Sequence, residues 1–124
     1  MSKLKNRVML MGHLGGDPEI KEFESGKVKG QFSLATTETY KDGKGDWHKL
    51  TEWHNVIGWG AMAKKMEKQL KKGSSVIVEG KLQHRSFETE SGEKKYITEV
   101  NIDTIEVLNK PSVSNEETSK ASAA

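Results

Sequence analysis

Apolar residues recur at every second position along most of this chain, and the rhythm gives way to helical spacing only after Gly60. A period of two is the signature of a half-buried strand and a period near 3.6 that of a helix. Val8, Leu10, Gly12 and Leu14 alternate with Arg7, Met9, Met11 and His13. Gly15-Gly16-Asp17-Pro18 breaks or bends that strand, residues 19–24 resume it, and Ser25-Gly26 turns the chain. Val28 to Tyr40 is the next strand, with Phe32 and Leu34 inward, and residues 41–46 form a long polar hairpin loop containing only Lys, Asp and Gly. Residues 49–59 alternate again. In AMAKKMEKQLKK, residues 61–72, Ala63, Met66 and Leu70 share a helical stripe with Met62 beside it, lysines fill the other side, and Gly73 is the expected stop. Residues 75–87 return to alternation with Val76, Val78, Gly80 and Leu82 on the core side. A polar loop centred on Ser91-Gly92 follows, and Tyr96 to Leu108 is the last strand. Its apolar set runs Val100, Ile102, then Ile105, Val107, and this slip of parity predicts a bulge.

Strands flanking one helix in this order predict an all-β OB-fold, a five-stranded barrel with one helix between strands 3 and 4. The domain spans 1–110. Residues 111–124 carry almost no apolar bulk and are expected to be a disordered tail.

A barrel built from about a hundred ordered residues has a modest core, so self-association would help it. There is no cysteine, which excludes disulfides and thiolate zinc sites. No apolar run is long enough for a signal peptide or a membrane span, so the expected address is the cytoplasm, with no membrane partner. The formal net charge is +2, and of 20 Lys and Arg residues only Arg7 and Arg85 are arginine. Ammonium groups give diffuse, salt-sensitive attraction to phosphates, whereas arginine forks read bases. The balance leans towards anion binding without sequence preference.

Trp53 and Trp59 are six residues apart and therefore leave one face of their strand together, with Asn55 and Ile57. The opposite face offers His54, Val56 and Gly58. Parity admits both a buried pair and an open platform. Lys81, Gln83, Arg85 and Phe87 point outward on the fourth strand, Tyr40 ends the second, and Trp47 sits in the loop after it. Exposed rings among lysines suit unpaired bases, because every base has a π-face that duplex DNA hides in its stack.

NRVMLMGHLGGDPE (6–19), FSLATTETY (32–40), TEWHNVIGWG (51–60), LKKGSSVIVEGKL (70–82) and SGEKKYITEV (91–100) resemble the bacterial single-stranded DNA-binding protein family, over about residues 4–108. The resemblance implies an OB-fold homotetramer, or a dimer if the chain is instead a replication-restart accessory module. Its partner would be single-stranded DNA, protected during replication, repair and recombination. The resemblance also implies stacking rings at Tyr40, Trp53, Trp59 and Phe87, basic contacts at Arg7, Lys49, Lys72 and Arg85, and a subunit-interface histidine at His54. Asn55 and Ala61 depart from residues that are commonly basic, and the acidic tip that recruits partners is absent from the final KASAA.

No cofactor or metal is expected, and no catalytic set stands out. DGKGDWHKLTEW begins like a calcium loop, but Lys44 takes a ligand position and Trp53 replaces the closing glutamate. The four histidines show no paired spacing, and no phosphate loop is present. An OB-fold nuclease and a cold-shock RNA chaperone are the remaining alternatives.

Overall fold

The computed structural model describes residues 5–109, so the expected tail at 111–124 lies outside the described residues. The elements are β1 (Val8–Leu14), β2 (Glu19–Glu22), β3 (Val28–Lys41), β4 (Trp47–Trp59), α1 (Ala61–Gln69), β5 (Ser75–Glu88) and β6 (Lys94–Asn109). Neighbours run β1-β5-β6-β4-β3, and β1 returns to pair β3 at His13 and Leu14, which closes a five-stranded barrel. β2 continues along the same edge of β3, opposite Val28–Gln31. The glycine-proline bend thus splits one strand path into two, which is why six segments serve a five-stranded barrel. Counted by segment, the helix follows the fourth; within the closed barrel it lies between the third and fourth strands, as expected.

The core contains Leu14, Phe32, Leu34, Val56, Met66, Leu70, Val76, Val78, Val100, Ile102 and Ile105. The thin face of His54, Val56 and Gly58 is the interior one. Gly30 and Gly58 are cross-strand partners, and the missing side chains admit the helix. A Cβ at Gly58 would sit 2.6 Å from Met62 Cγ and 2.7 Å from Met66 Cε; one at Gly30 would sit 2.5 Å from Met66 Sδ. The helical stripe Ala63, Met66 and Leu70 fills the space that strand side chains leave.

Three expectations are corrected. The helix ends at Gln69, not at Lys72: Leu70 is already extended at φ −114°, ψ 148°. Gly73, at φ 89°, belongs to a separate turn in which the Ser74 N–H donates to the Lys71 carbonyl. Leu82 is not core but 37 % exposed: it lies at the barrel's rim opposite Val100, beyond Gly80, where the pairing of β5 with β1 ends. The 41–46 loop is short. Lys41 pairs with Trp47, so Trp47 opens β4, and the Gly45 N–H donates to the Asp42 carbonyl with Gly45 at φ 88°. This is the three-residue hairpin connection with a glycine in the left-handed region, and the same bonds recur at Phe23–Lys27 and Thr89–Glu93.

The expected bulge is present. Glu79 faces Thr104 and Gly80 faces Ile102, which leaves Asp103 as the extra residue.

Candidate nucleic-acid interface

The β3–β4 ladder runs without a register shift from Lys29↔Trp59 to Lys41↔Trp47. Odd-numbered residues of both strands therefore share one face and even-numbered residues the other. The odd face is the barrel's exterior: Trp53 is 61 % and Trp59 40 % exposed, whereas Val56 on the even face is fully buried. The tryptophan pair is an open platform. Ile57, between them in the odd series, is nevertheless buried. Trp53 lies against the backbone of the β1–β2 bend: a Cβ at Gly15 would fall 2.5 Å from its ring. The bend and Trp53 border a cleft of about 390 Å³ with Asp17, Gln31 and Ser33.

The same surface continues across the sheet. Asn55 pairs with Glu99 and Ile57 with Asn101 on β6; Glu99 pairs in turn with Gln83 and Asn101 with Lys81 on β5. Arg85 and Phe87 follow in the same series, and Phe87 is 42 % exposed. At its centre lies a carboxylate that is almost wholly buried, Glu99. Arg85 Nε and Nη2 donate to its two oxygens at 3.0 and 3.2 Å. These hydrogen bonds, with the attraction of Glu99, raise the Arg85 pKa. Burial of a carboxylate is costly without such a partner. The other arginine is engaged in the same way. Arg7 Nη1 and Nη2 donate to Asp103 at 2.9 and 3.0 Å, and Glu79 lies 3.7 Å away. Both guanidinium forks expected on phosphates therefore clamp protein carboxylates. Lys49 and Lys72 are exposed; Lys72 also donates its backbone N–H to Asp17 Oδ1 at 2.8 Å.

Trp59 has a setting that sequence reasoning did not foresee. Phe23, beside the β2–β3 turn, stacks on it with centroids 5.9 Å apart. Lys29 lies 5.8 Å from the centre of the Trp59 ring and Lys21 5.1 Å from that of Phe23. A cleft of about 650 Å³ opens beside Trp59, lined by Lys27, Val28, Gly60, Ala61 and Lys64 among others. The commonly basic position held here by Ala61 thus has lysines close by. The only sequence signal was the lysine spacing in KEFESGKVKG.

Tyr40 stands apart. It is even-numbered, so it lies on the face opposite Trp53, stacked on His48 at 5.3 Å. His48 Nε2 is 2.7 Å from Asp42 Oδ2, while the other Asp42 oxygen accepts the backbone N–H groups of Lys44 and Asp46. The His48 hydrogen bond, and then the Asp46 N–H, hold the Asp42 carboxyl below its ordinary range. His54 shares a 2.9 Å hydrogen bond with Thr36 Oγ1. Among the described residues no cluster of three or more His, Asp or Glu is arranged to hold a metal ion, and no helix is long and apolar enough to cross a membrane.

Known proteins share this pattern. Residues 5–108 match the model of the "Single-strand binding protein family". Single-stranded DNA-binding protein 1 of Chlorobaculum tepidum is 46 % identical over 101 residues, which cover 81 % of this chain and 62 % of that protein. The chain therefore spans less than two-thirds of that relative's length. The Plasmodium falciparum single-strand binding protein, solved in complex with single-stranded DNA, superposes with a TM-score of 0.80 at 30 % identity, covering 88 % of this chain and 99 % of that one. A barrel of this topology, with its rings held outward and a family match across nearly every described residue, makes the chain a member of the single-strand binding protein family.

Proposed function

We propose that this protein binds single-stranded DNA without strong sequence preference, and so shields exposed strands during replication, repair and recombination in the bacterial cytoplasm, in association with the nucleoid. The observation that carries this reading is the set of rings left in solvent on one sheet face, Trp53, Trp59 and Phe87. Uncovered indoles are unfavourable in water unless a ligand covers them. Bases stack on the three rings, at about 1–3 kcal/mol per base in the general case of single-strand binding proteins. Lys21, Lys27, Lys29, Lys49 and Lys64 track the backbone, with Lys72 at the Lys71–Ser74 turn. A strand that wraps round the edge of the β3–β4 hairpin meets Tyr40 on the far side. The two arginines neutralise the carboxylates of Glu99 and Asp103.

Assembly as a homotetramer fits the same architecture. β1 pairs with β3 only at His13 and Leu14, so among the described residues its edge from Val8 to Gly12 on that side has no strand partner. Met9 and Met11 on its outer face are 66 % and 62 % exposed. Such an edge and apolar strip suit another copy of the chain, and several grooves in one particle raise the effective concentration for a long strand.

The deciding experiment titrates intrinsic tryptophan fluorescence with poly-dT, poly-U and a duplex of equal length at low salt. Quenching by poly-dT at concentrations where the duplex does nothing is the expected outcome. Equal binding of duplex, or no quenching by poly-dT, overturns the reading, and preference for poly-U moves the partner to RNA.

A further inference from the structure

The β3–β4 hairpin projects beyond the barrel, and its two faces differ in charge. Between residues 35 and 53 the odd face carries Ala35, Thr37, Thr39 and Lys41 on β3, opposite Trp53, Thr51, Lys49 and Trp47 on β4. It holds two lysines and two indoles and no carboxylate. The even face carries Glu38 and Glu52 beside Tyr40, His48 and Leu50. Polyanion and carboxylates repel, so a phosphate backbone following this arm runs along the odd face.

Trp47 is at the far end of that face. It is 68 % exposed, more than either other tryptophan. Lys41 Nζ lies 5.8 Å from its ring centre, which places a phosphate-seeking cation on one side of the indole and leaves much of the ring in water. Trp47 is spaced from Trp53 as Trp53 is from Trp59, about 20 Å for six residues of strand. The fold itself does not call for an indole here: Asp42 and Gly45 make the bonds of the turn. We infer that Trp47 and Lys41 form a further base-stacking subsite, which lengthens the single-strand path from the barrel wall to the hairpin tip. The inference rests on the single-strand reading and adds a residue that the family resemblance does not supply.

The test compares the full-length chain with its Trp47→Ala, Trp47→Phe, Lys41→Gln and Trp53→Ala variants. Each is titrated into fluorescein-labelled dT35 and followed by anisotropy. Trp47→Ala is expected to bind at least about 5-fold more weakly and Trp47→Phe close to the parent, since any ring can stack. Lys41→Gln should lower the salt slope by about 0.7, the contribution of one phosphate contact on a single strand. In the Trp53→Phe/Trp59→Phe background Trp47 is the sole tryptophan, and its emission, excited at 295 nm where tyrosine absorbs little, should fall as unlabelled dT35 saturates the protein. Parental affinity for Trp47→Ala, with loss in Trp53→Ala, overturns the subsite and leaves the single-strand reading standing. Parental affinity in both alanine variants overturns the subsite together with the stacking role given to Trp53, and no binding of dT35 by the parent overturns the single-strand reading as well.

Discussion

Arg85 grips both oxygens of Glu99, a carboxylate only 3 % exposed at the centre of the ring-bearing sheet face. The guanidinium therefore supports the surface more than it reaches from it. Replacing Arg85 with Ala leaves the acid buried and unpaired, which should cost about 2 kcal/mol, moderated because the arginine is half exposed. Glu99→Gln should restore most of that loss in the double variant, as read from urea unfolding in a double-mutant cycle.

Glu99→Gln alone should release the fork towards the phosphates. Affinity for dT oligonucleotides is expected to rise and the salt slope to steepen by about 0.7. An unchanged slope would mean that Arg85 stays out of reach of the backbone even when its partner is gone.

Acidification should loosen the hairpin tip. Asp42 has a lowered pKa in the folded chain, first through His48 and then through the Asp46 N–H. A carboxylate depressed on folding contributes stability that is complete above its unfolded value and lost as pH falls through the folded one. Hydrogen exchange at the Lys44 and Asp46 amides should therefore accelerate only below the ordinary carboxylate range. His48→Asn should move that onset to higher pH.

The glycines should separate by what faces them. A Cβ at Gly80 meets the Asn101 carbonyl oxygen and Ile102 Cα, which are backbone atoms, so Gly80→Ala should cost about 3 kcal/mol or more. Gly58→Ala meets the side chains of Met62 and Met66 and should cost about 1–3 kcal/mol as they shift. At Gly16 nothing lies within 4 Å, and alanine there should be neutral or slightly stabilising. Thermal melts of the three variants test the ranking.

Lysine at Met9 and Met11 together should reduce the proposed homotetramer to a smaller species in light scattering. The barrel's far-ultraviolet spectrum should stay unchanged, because both side chains are exposed within the single chain.

Local rules read much of this molecule. The parity slip between Ile102 and Ile105 announced the bulge at Asp103, and the outward set Lys81, Gln83, Arg85 and Phe87 is outward. What failed did so where alternation lost its meaning. Leu82 keeps the core's rhythm past the point where β5 loses its β1 neighbour, and Trp47 was hidden by a polar run of which only three residues make the turn. The partners of the arginines were illegible for another reason: Asp103 lies 96 residues from Arg7, and only folding brings them together. Phe23 fell within the strand expected over residues 19–24, but β2 ends at Glu22, and strand parity alone does not name Trp59 as its neighbour.

The opposed pair Gly30 and Gly58 has a consequence for the wall they belong to. With no side chain on the inner side there, that part of the wall rests against the Met66 thioether delivered by α1, and Trp59 is the residue after Gly58. The seat of an outer ring thus depends on Met66, a buried side chain that itself stays clear of the proposed ligand. Repacking Met66 offers a way to tune how this protein holds a strand without altering one atom of the surface that touches it.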